Sequence, residues 1–146
     1  MQEILFVCTG NYYRSRFAQA VFNHRAQELG LSCRAFSRGL NIGAVLEGDE
    51  LSIYTREEMQ RQGLPLELAG ERRVSLTLED LRRAERTVVL KRTEHYPMMR
   101  TQFPDFAEAV TYWEVHDLDA ARPEEALPQI QALVETLVGE LKAEKR

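Results

Sequence analysis

Four short apolar runs, each followed by a segment with helical spacing, restrict this chain to a small set of folds. Ile4-Leu5-Phe6-Val7 is apolar at every position, which suits a strand buried on both faces. Ser32 to Ser37, Thr87-Val88-Val89-Leu90 and Ala109 to Val115 read as the second, third and fourth strands. Between them, Ser15 to Gly30 carries a helical face of Phe17, Ala18, Val21, Phe22, Ala26 and Leu29, with Gly30 as its stop. A second helix is expected from Asp49 to Gln62, ended by Gly63 and Pro65. Thr77, followed three residues later by Asp80, marks the start of a short helix to Ala84. Thr93 to Phe103 is expected to be helical, with Pro97 tolerable only in its first turn. The last helix starts at Pro123 and presents Leu127, Ile130, Leu133, Val134, Leu137 and Leu141, leaving Lys142 to Arg146 as a fraying tail. Gly39 to Gly48, Leu66 to Val74 and His116 to Arg122 read as loops. This alternation predicts an α/β three-layer sandwich, a central four-stranded parallel sheet with helices on both faces. In such a plan the loops after the first and fourth strands open at one edge of the sheet, where ligands bind.

The residues with chemistry crowd into the first of those loops. Cys8-Thr9-Gly10-Asn11-Tyr12-Tyr13-Arg14-Ser15 joins a strand end to a helix start. A short loop of this kind aims successive backbone N–H groups at one point, and the positive end of the helix dipole adds to the field. That point suits a dianion such as phosphate. Arg14 can grip two of its oxygens through the guanidinium fork, and the same field favours the thiolate form of Cys8. Asn11 suits a left-handed loop position, Ser15 can cap the helix, and Tyr12 and Tyr13 are placed to shape the pocket mouth. His24 and His95 have no ligand-spaced partners and read as structural; no metal or other cofactor is expected.

A chain of 146 residues suits one domain, residues 1–146, with one core. The net charge of −4 argues against nonspecific nucleic-acid binding. No apolar run approaches the ~20 residues that span a bilayer, and no basic stretch precedes an apolar one at the N-terminus. No membrane partner is expected, and the location is expected to be cytoplasmic. Oligomeric state has no signature in the sequence. Two cysteines make no disulfide framework. If the second strand runs parallel to the first, Ser37 is level with Cys8, and Cys33 lies four residues away at ~3.3 Å each, too far for a bridge.

The five-residue interval between Cys8 and Arg14, with Gly10 and Asn11 inside it and Ser15 after it, resembles the low-molecular-weight protein tyrosine phosphatase family. The Ser37-Arg38-Gly39 turn resembles that family's Ser-Ala-Gly turn, and Arg73 to Asp80 resembles the segment before its third strand. The resemblance implies a phosphomonoester hydrolase with Cys8 as nucleophile and Arg14 closing the phosphate loop. It also implies Thr9, Gly10, Asn11, Tyr12, Tyr13 and Ser15 around the substrate, Ser37 pinning Asn11, and Ser15 bonded to the thiolate. Its substrates would be phosphorylated proteins or small phosphomonoesters. Asp117 matches the first acid of the family's acid loop and is the expected proton donor, with Asp119 as a rival. This chain departs from the family at Tyr13, where a second cysteine is usual, at Ser15-Arg16, where Ser-Pro is usual, and at His116-Asp117-Leu118-Asp119-Ala120, where Asp-Pro and aromatics are usual. Three alternatives stand beside this reading. An arsenate reductase needs further cysteines near the site. A phosphoarginine phosphatase carries a threonine at the position of Tyr12. The third is a catalytically silent phosphate-binding module.

Overall fold

A computed structural model describes residues 1–44, 50–117 and 122–144. Its centre is a four-stranded sheet built from β1 (Gln2–Cys8), β2 (Cys33–Gly39), β3 (Arg86–Val89) and β4 (Thr111–Tyr112). The strand order is β2-β1-β3-β4, and every pairing between them is parallel. Helices α1 (Arg14–Leu29), α2 (Ile53–Gln62), α3 (Leu78–Arg83), α4 (Arg92–Gln102) and α5 (Pro123–Glu144) connect and cover it.

The alternation of side chains along β1 explains the two covering layers. Ile4, Phe6 and Cys8 point into a cluster with Phe17, Val21 and Phe22 of α1 and Ile130, Val134 and Leu141 of α5. Leu5 and Val7 point the other way, against Leu81 of α3 and Met99 of α4. Both faces of the central strand are thus dry, as its unbroken apolar sequence requires. Phe6, Phe17 and Phe22 are fully buried, each side chain contributing about 1.5–3 kcal/mol of burial.

Several boundaries differ from the sequence expectation. The β1–β2 register sets Cys8 level with Gly39, and Ser37 level with Phe6. The second strand runs two residues further than its apolar pattern suggests because Arg38 and Gly39 still pair with Val7 and Cys8 of β1. The fourth strand has only Thr111 and Tyr112, since Glu114 turns to an antiparallel bridge with Lys91. Trp113 packs on Phe6 of the α1/α5 layer, and Tyr112 on Tyr96 of the other, so both aromatics are used. Leu66–Ala69, expected to be loop, forms a 3-10 turn, as does Ile42–Ala44. Pro97 lies past the first turn of α4. The carbonyl it leaves without an i+4 partner belongs to Thr93, which is exposed and can bond water. Lys142 to Glu144 continue α5 rather than fray. The expected capping residue and acid at the start of α3 form a full capping box between Thr77 and Asp80. Gly30 ends α1 at φ 65°.

Candidate active site

The loop after β1 is held by its carbonyls. Cys8 O accepts from Leu40 N at 2.9 Å, Thr9 O from Asn41 N at 2.8 Å and Tyr12 O from Ser52 N at 3.0 Å. Gly10 O accepts from Arg73 Nε at 3.0 Å, and Tyr13 O from Thr55 Oγ1 at 3.1 Å. Each trans peptide places the following N–H opposite its carbonyl. Carbonyls tied to the surrounding protein therefore turn the amides of the loop toward its interior, a geometry suited to an anion at the start of α1. Gly39 is what lets the second strand approach so closely. A Cβ there would lie 2.7 Å from Thr9 O and 3.0 Å from Asn11 N.

Cys8 is at the floor of this loop, 2 % exposed, with Sγ 3.0 Å from Ser15 Oγ. The bonds around the neighbouring Asn11 amide have a set direction. Val74 N–H donates to Asn11 Oδ1 at 2.8 Å, which fixes the orientation of the Asn11 amide. Asn11 Nδ2 then donates to Ser15 Oγ and to Ser37 Oγ, each at 3.0 Å. Ser37 Oγ donates to Gln19 Oε1 at 2.6 Å. With one lone pair of Ser15 Oγ taken by Asn11, the Ser15 hydroxyl proton is free to point at the sulfur 3.0 Å away. Asn11 occupies the left-handed region at φ 49°, a conformation its short polar side chain tolerates. Ser15 is inside α1, not its cap; the cap position is Tyr13 and carries no side-chain capping bond.

Arg14 is 2 % exposed despite its full charge. Nη1 donates to Glu94 Oε1 at 3.2 Å and to Val115 O at 3.0 Å, while Nη2 donates to Glu94 Oε2 at 2.9 Å. Asp117 Oδ2 lies 3.4 Å from the same Nη2. Burial opposes the charge, but Cys8, Glu94 and Asp117 outweigh it and hold the guanidinium above its ordinary value. Glu94 is in turn surrounded by donors. Thr9 Oγ1 makes a short bond to Oε2, and His95 Nε2 is 3.0 Å from the same oxygen. Burial pushes the Glu94 carboxyl up, yet the bonds from His95, Arg14 and Thr9 prevail and hold it well below the usual range. His95 Nδ1 accepts from Lys91 N at 3.1 Å, so the neutral ring carries its proton on Nε2, facing Thr9 and Glu94. Burial chiefly keeps that ring below its ordinary value.

The fold brings Cys8, Thr9, Gly10, Asn11, Arg14, Ser15, Ser37 and Asp117 around one loop. Tyr12 is half-buried beside the core, whereas Tyr13 is 3 % exposed and part of the core itself, not of a pocket mouth. Asp119 lies outside the described residues. Glu94 was invisible in the sequence as a partner of Arg14, and His95 read as merely structural, because their contact depends on how α4 docks. Arg16, where proline is usual, is buried and donates to Ala69 O at 3.1 Å, Gly70 O at 2.8 Å and Glu50 O at 3.0 Å. It anchors two segments beside the loop through main-chain carbonyls, a role no sequence pattern announces. Cys33 pairs with Gln2 at the far end of β2 from Cys8. Among the described residues, no group of three or more His, Cys, Asp or Glu is placed to hold a metal ion, and no helix is long and apolar enough to cross a membrane.

A family model described as low molecular weight phosphotyrosine protein phosphatase matches residues 3–146. A curated relative, the low molecular weight protein-tyrosine-phosphatase YfkJ of Bacillus subtilis (strain 168), is 33 % identical over 75 residues. That match spans 51 % of this chain and 48 % of the relative, about half the length of each. The crystal structure of YfkJ from Bacillus subtilis superposes with a TM-score of 0.82 at 25 % identity, covering 100 % of this chain and 98 % of that one. The YwlE arginine phosphatase from Geobacillus stearothermophilus shares the fold, with a TM-score of 0.78 at 24 % identity over 99 % of this chain and 96 % of that one.

Proposed function

Because the chain belongs to the low molecular weight phosphotyrosine protein phosphatase family, we propose that it hydrolyses phosphomonoesters, with phosphotyrosine as the preferred group. The observation that carries this reading is the convergence at the loop: a sulfur within hydrogen-bond distance of Ser15 at 3.0 Å, the Arg14 fork, and the Asp117 carboxyl group 3.4 Å from that fork. In the first step the Cys8 thiolate attacks phosphorus, and the P–O bond to the leaving group breaks. Asp117 gives its proton to the departing phenolic oxygen. The loop amides and Arg14 hold the equatorial oxygens, over which charge spreads in the transition state. In the second step Asp117, now a carboxylate, takes a proton from water as that water attacks phosphorus. The P–S bond breaks and inorganic phosphate and thiolate remain.

The alternatives draw less support. Arsenate reduction relays oxidation through nearby thiols, and Cys33 is six register positions from Cys8 across β1 and β2, about 20 Å at ~3.3 Å per residue. Tyr12 fills the position where phosphoarginine phosphatases carry a smaller residue, which argues for an aromatic phosphomonoester. The test is turnover of para-nitrophenyl phosphate and of a phosphotyrosine peptide. Cys8→Ser is expected to abolish both, and Asp117→Asn to slow the peptide more than the activated aryl ester. Wild-type turnover by Cys8→Ser would refute the mechanism. Phosphate binding with no turnover by the unmodified protein would favour the silent module.

A further inference from the structure

The Arg14 guanidinium carries five N–H donors in one plane, and contacts within the protein commit three of them. Nη1 gives both of its hydrogens away, to Glu94 Oε1 at 3.2 Å and to Val115 O at 3.0 Å. Nη2 gives one to Glu94 Oε2 at 2.9 Å. Glu94 therefore holds the end of the fork, where the two terminal nitrogens lie side by side. The donors left are Nε–H and the second hydrogen of Nη2. These two point the same way and form the other edge of the fork, with the spacing of two oxygens on one phosphoryl group.

Glu94 is fixed before any substrate arrives. Its Oε2 accepts from Thr9 Oγ1, and His95 Nε2 lies 3.0 Å from the same oxygen. The His95 ring is fully buried and is held from its other side by Lys91 N–H, 3.1 Å from Nδ1. One carboxylate at the start of α4 thus ties together Thr9, which follows Cys8, and Arg14, which closes the loop. A partner needed only to balance a buried charge could meet the guanidinium through one oxygen. Two parallel bonds also fix its plane.

We infer that Glu94 is a positioning residue for phosphoryl transfer: it occupies the Nη1/Nη2 end of Arg14 and so presents the Nε/Nη2 edge to the equatorial oxygens. The inference rests on the phosphatase reading above. Glu94 touches neither substrate nor the reacting atoms, and no proton moves through it. Its effect is on the plane of the guanidinium, which matters most when the oxygens spread into the equatorial plane of the transition state.

The test compares vanadate, which adopts the five-coordinate geometry of the transition state, with inorganic phosphate, which does not. Removing the Glu94 charge shifts the binding of both anions alike, so the ratio of their inhibition constants isolates the geometry. Glu94→Gln is expected to lower the preference for vanadate over phosphate about tenfold. It should also lower kcat on para-nitrophenyl phosphate about tenfold, with KM changed less than about threefold. In the Arg14→Lys background, read by calorimetry, Glu94→Gln should change that preference less than about twofold, because an ammonium has no plane to set. A ratio unchanged by Glu94→Gln, or an equal change in the Arg14→Lys background, would overturn the inference. A second measurement needs no Glu94 variant. In a proton–nitrogen NMR spectrum of the wild type, the Arg14 Nε–H signal, assigned by its loss in Arg14→Lys, should move downfield as phosphate is added. A signal unmoved at saturating phosphate would equally overturn it. Failure of the phosphatase reading looks different: the unmodified protein turns over no phosphomonoester, and the NMR titration still decides which edge meets the anion.

Discussion

Replacing Glu94 by glutamine should weaken the fold in a way that depends on pH. At 2.9 Å from Arg14 Nη2, a unit charge pair is worth about 6 kcal/mol at an effective dielectric of about 20. Desolvation of the buried guanidinium offsets much of this, leaving about 2–3 kcal/mol. Glutamine cannot recover it. Glu94 Oε2 accepts from Thr9, His95 and Arg14, and Oε1 accepts from Arg14, so either placement of the amide sets an NH2 against a donor. The sign with pH follows from the lowered Glu94 carboxyl. Its contribution is complete above its ordinary value of 4.5 and is lost as pH falls toward the folded-state value. Between pH 5 and pH 3, the wild type should therefore lose up to about 2 kcal/mol that the variant does not have to lose. Urea titrations of both proteins at the two pH values measure the difference. A gap of about 2–3 kcal/mol at pH 5 that shrinks at pH 3 is expected. A gap that is absent at pH 5, or unchanged at pH 3, would refute the claim that ionised Glu94 holds Arg14.

Other perturbations probe the frame of the loop. Gly39→Ala forces a Cβ to 2.7 Å from Thr9 O and from Ile42 Cγ2, so it should cost about 1–3 kcal/mol and reduce the thermal shift given by added phosphate. Asn11→Ala meets a left-handed backbone and leaves Val74 N–H without its acceptor, which should cost about 2–4 kcal/mol in denaturant and lower kcat/KM. Thr77→Ala removes one half of the α3 capping box, far from the chemistry, and should lower stability by about 1 kcal/mol with kcat unchanged. Cys33→Ser should leave turnover within about twofold of wild type, and loss of activity would revive a thiol-relay mechanism.

The sequence was most informative where local rules and global packing agree. Ile4 to Val7 could only be a strand covered twice, and the Thr77/Asp80 cap, the Gly30 stop and the α5 face each follow from short-range periodicity or capping chemistry. The loop from Cys8 to Ser15 stands out in the sequence because its residue types suit an anion. What escaped depends on docking across the sheet. Glu94 reaches Arg14 across 80 positions, and Arg16 reaches Ala69 and Gly70 across more than 50. Neither contact leaves a mark on spacing or composition. Tyr13 was misplaced for the same reason: proximity to the loop in sequence suggested the mouth, whereas the turn into α1 sends its ring into the core. The length of β4 was overestimated because its apolar residues continue past the last ladder bond and pack as loop.

The proposed chemistry runs through a phosphorus–sulfur bond at Cys8. Mass spectrometry of enzyme quenched in acid during turnover of para-nitrophenyl phosphate looks for that bond directly. The expected result is phosphate on the peptide that carries Cys8, retained longer in Asp117→Asn and absent when Cys8 is replaced. Steady turnover with no phosphate on Cys8 at any quench time would contradict it.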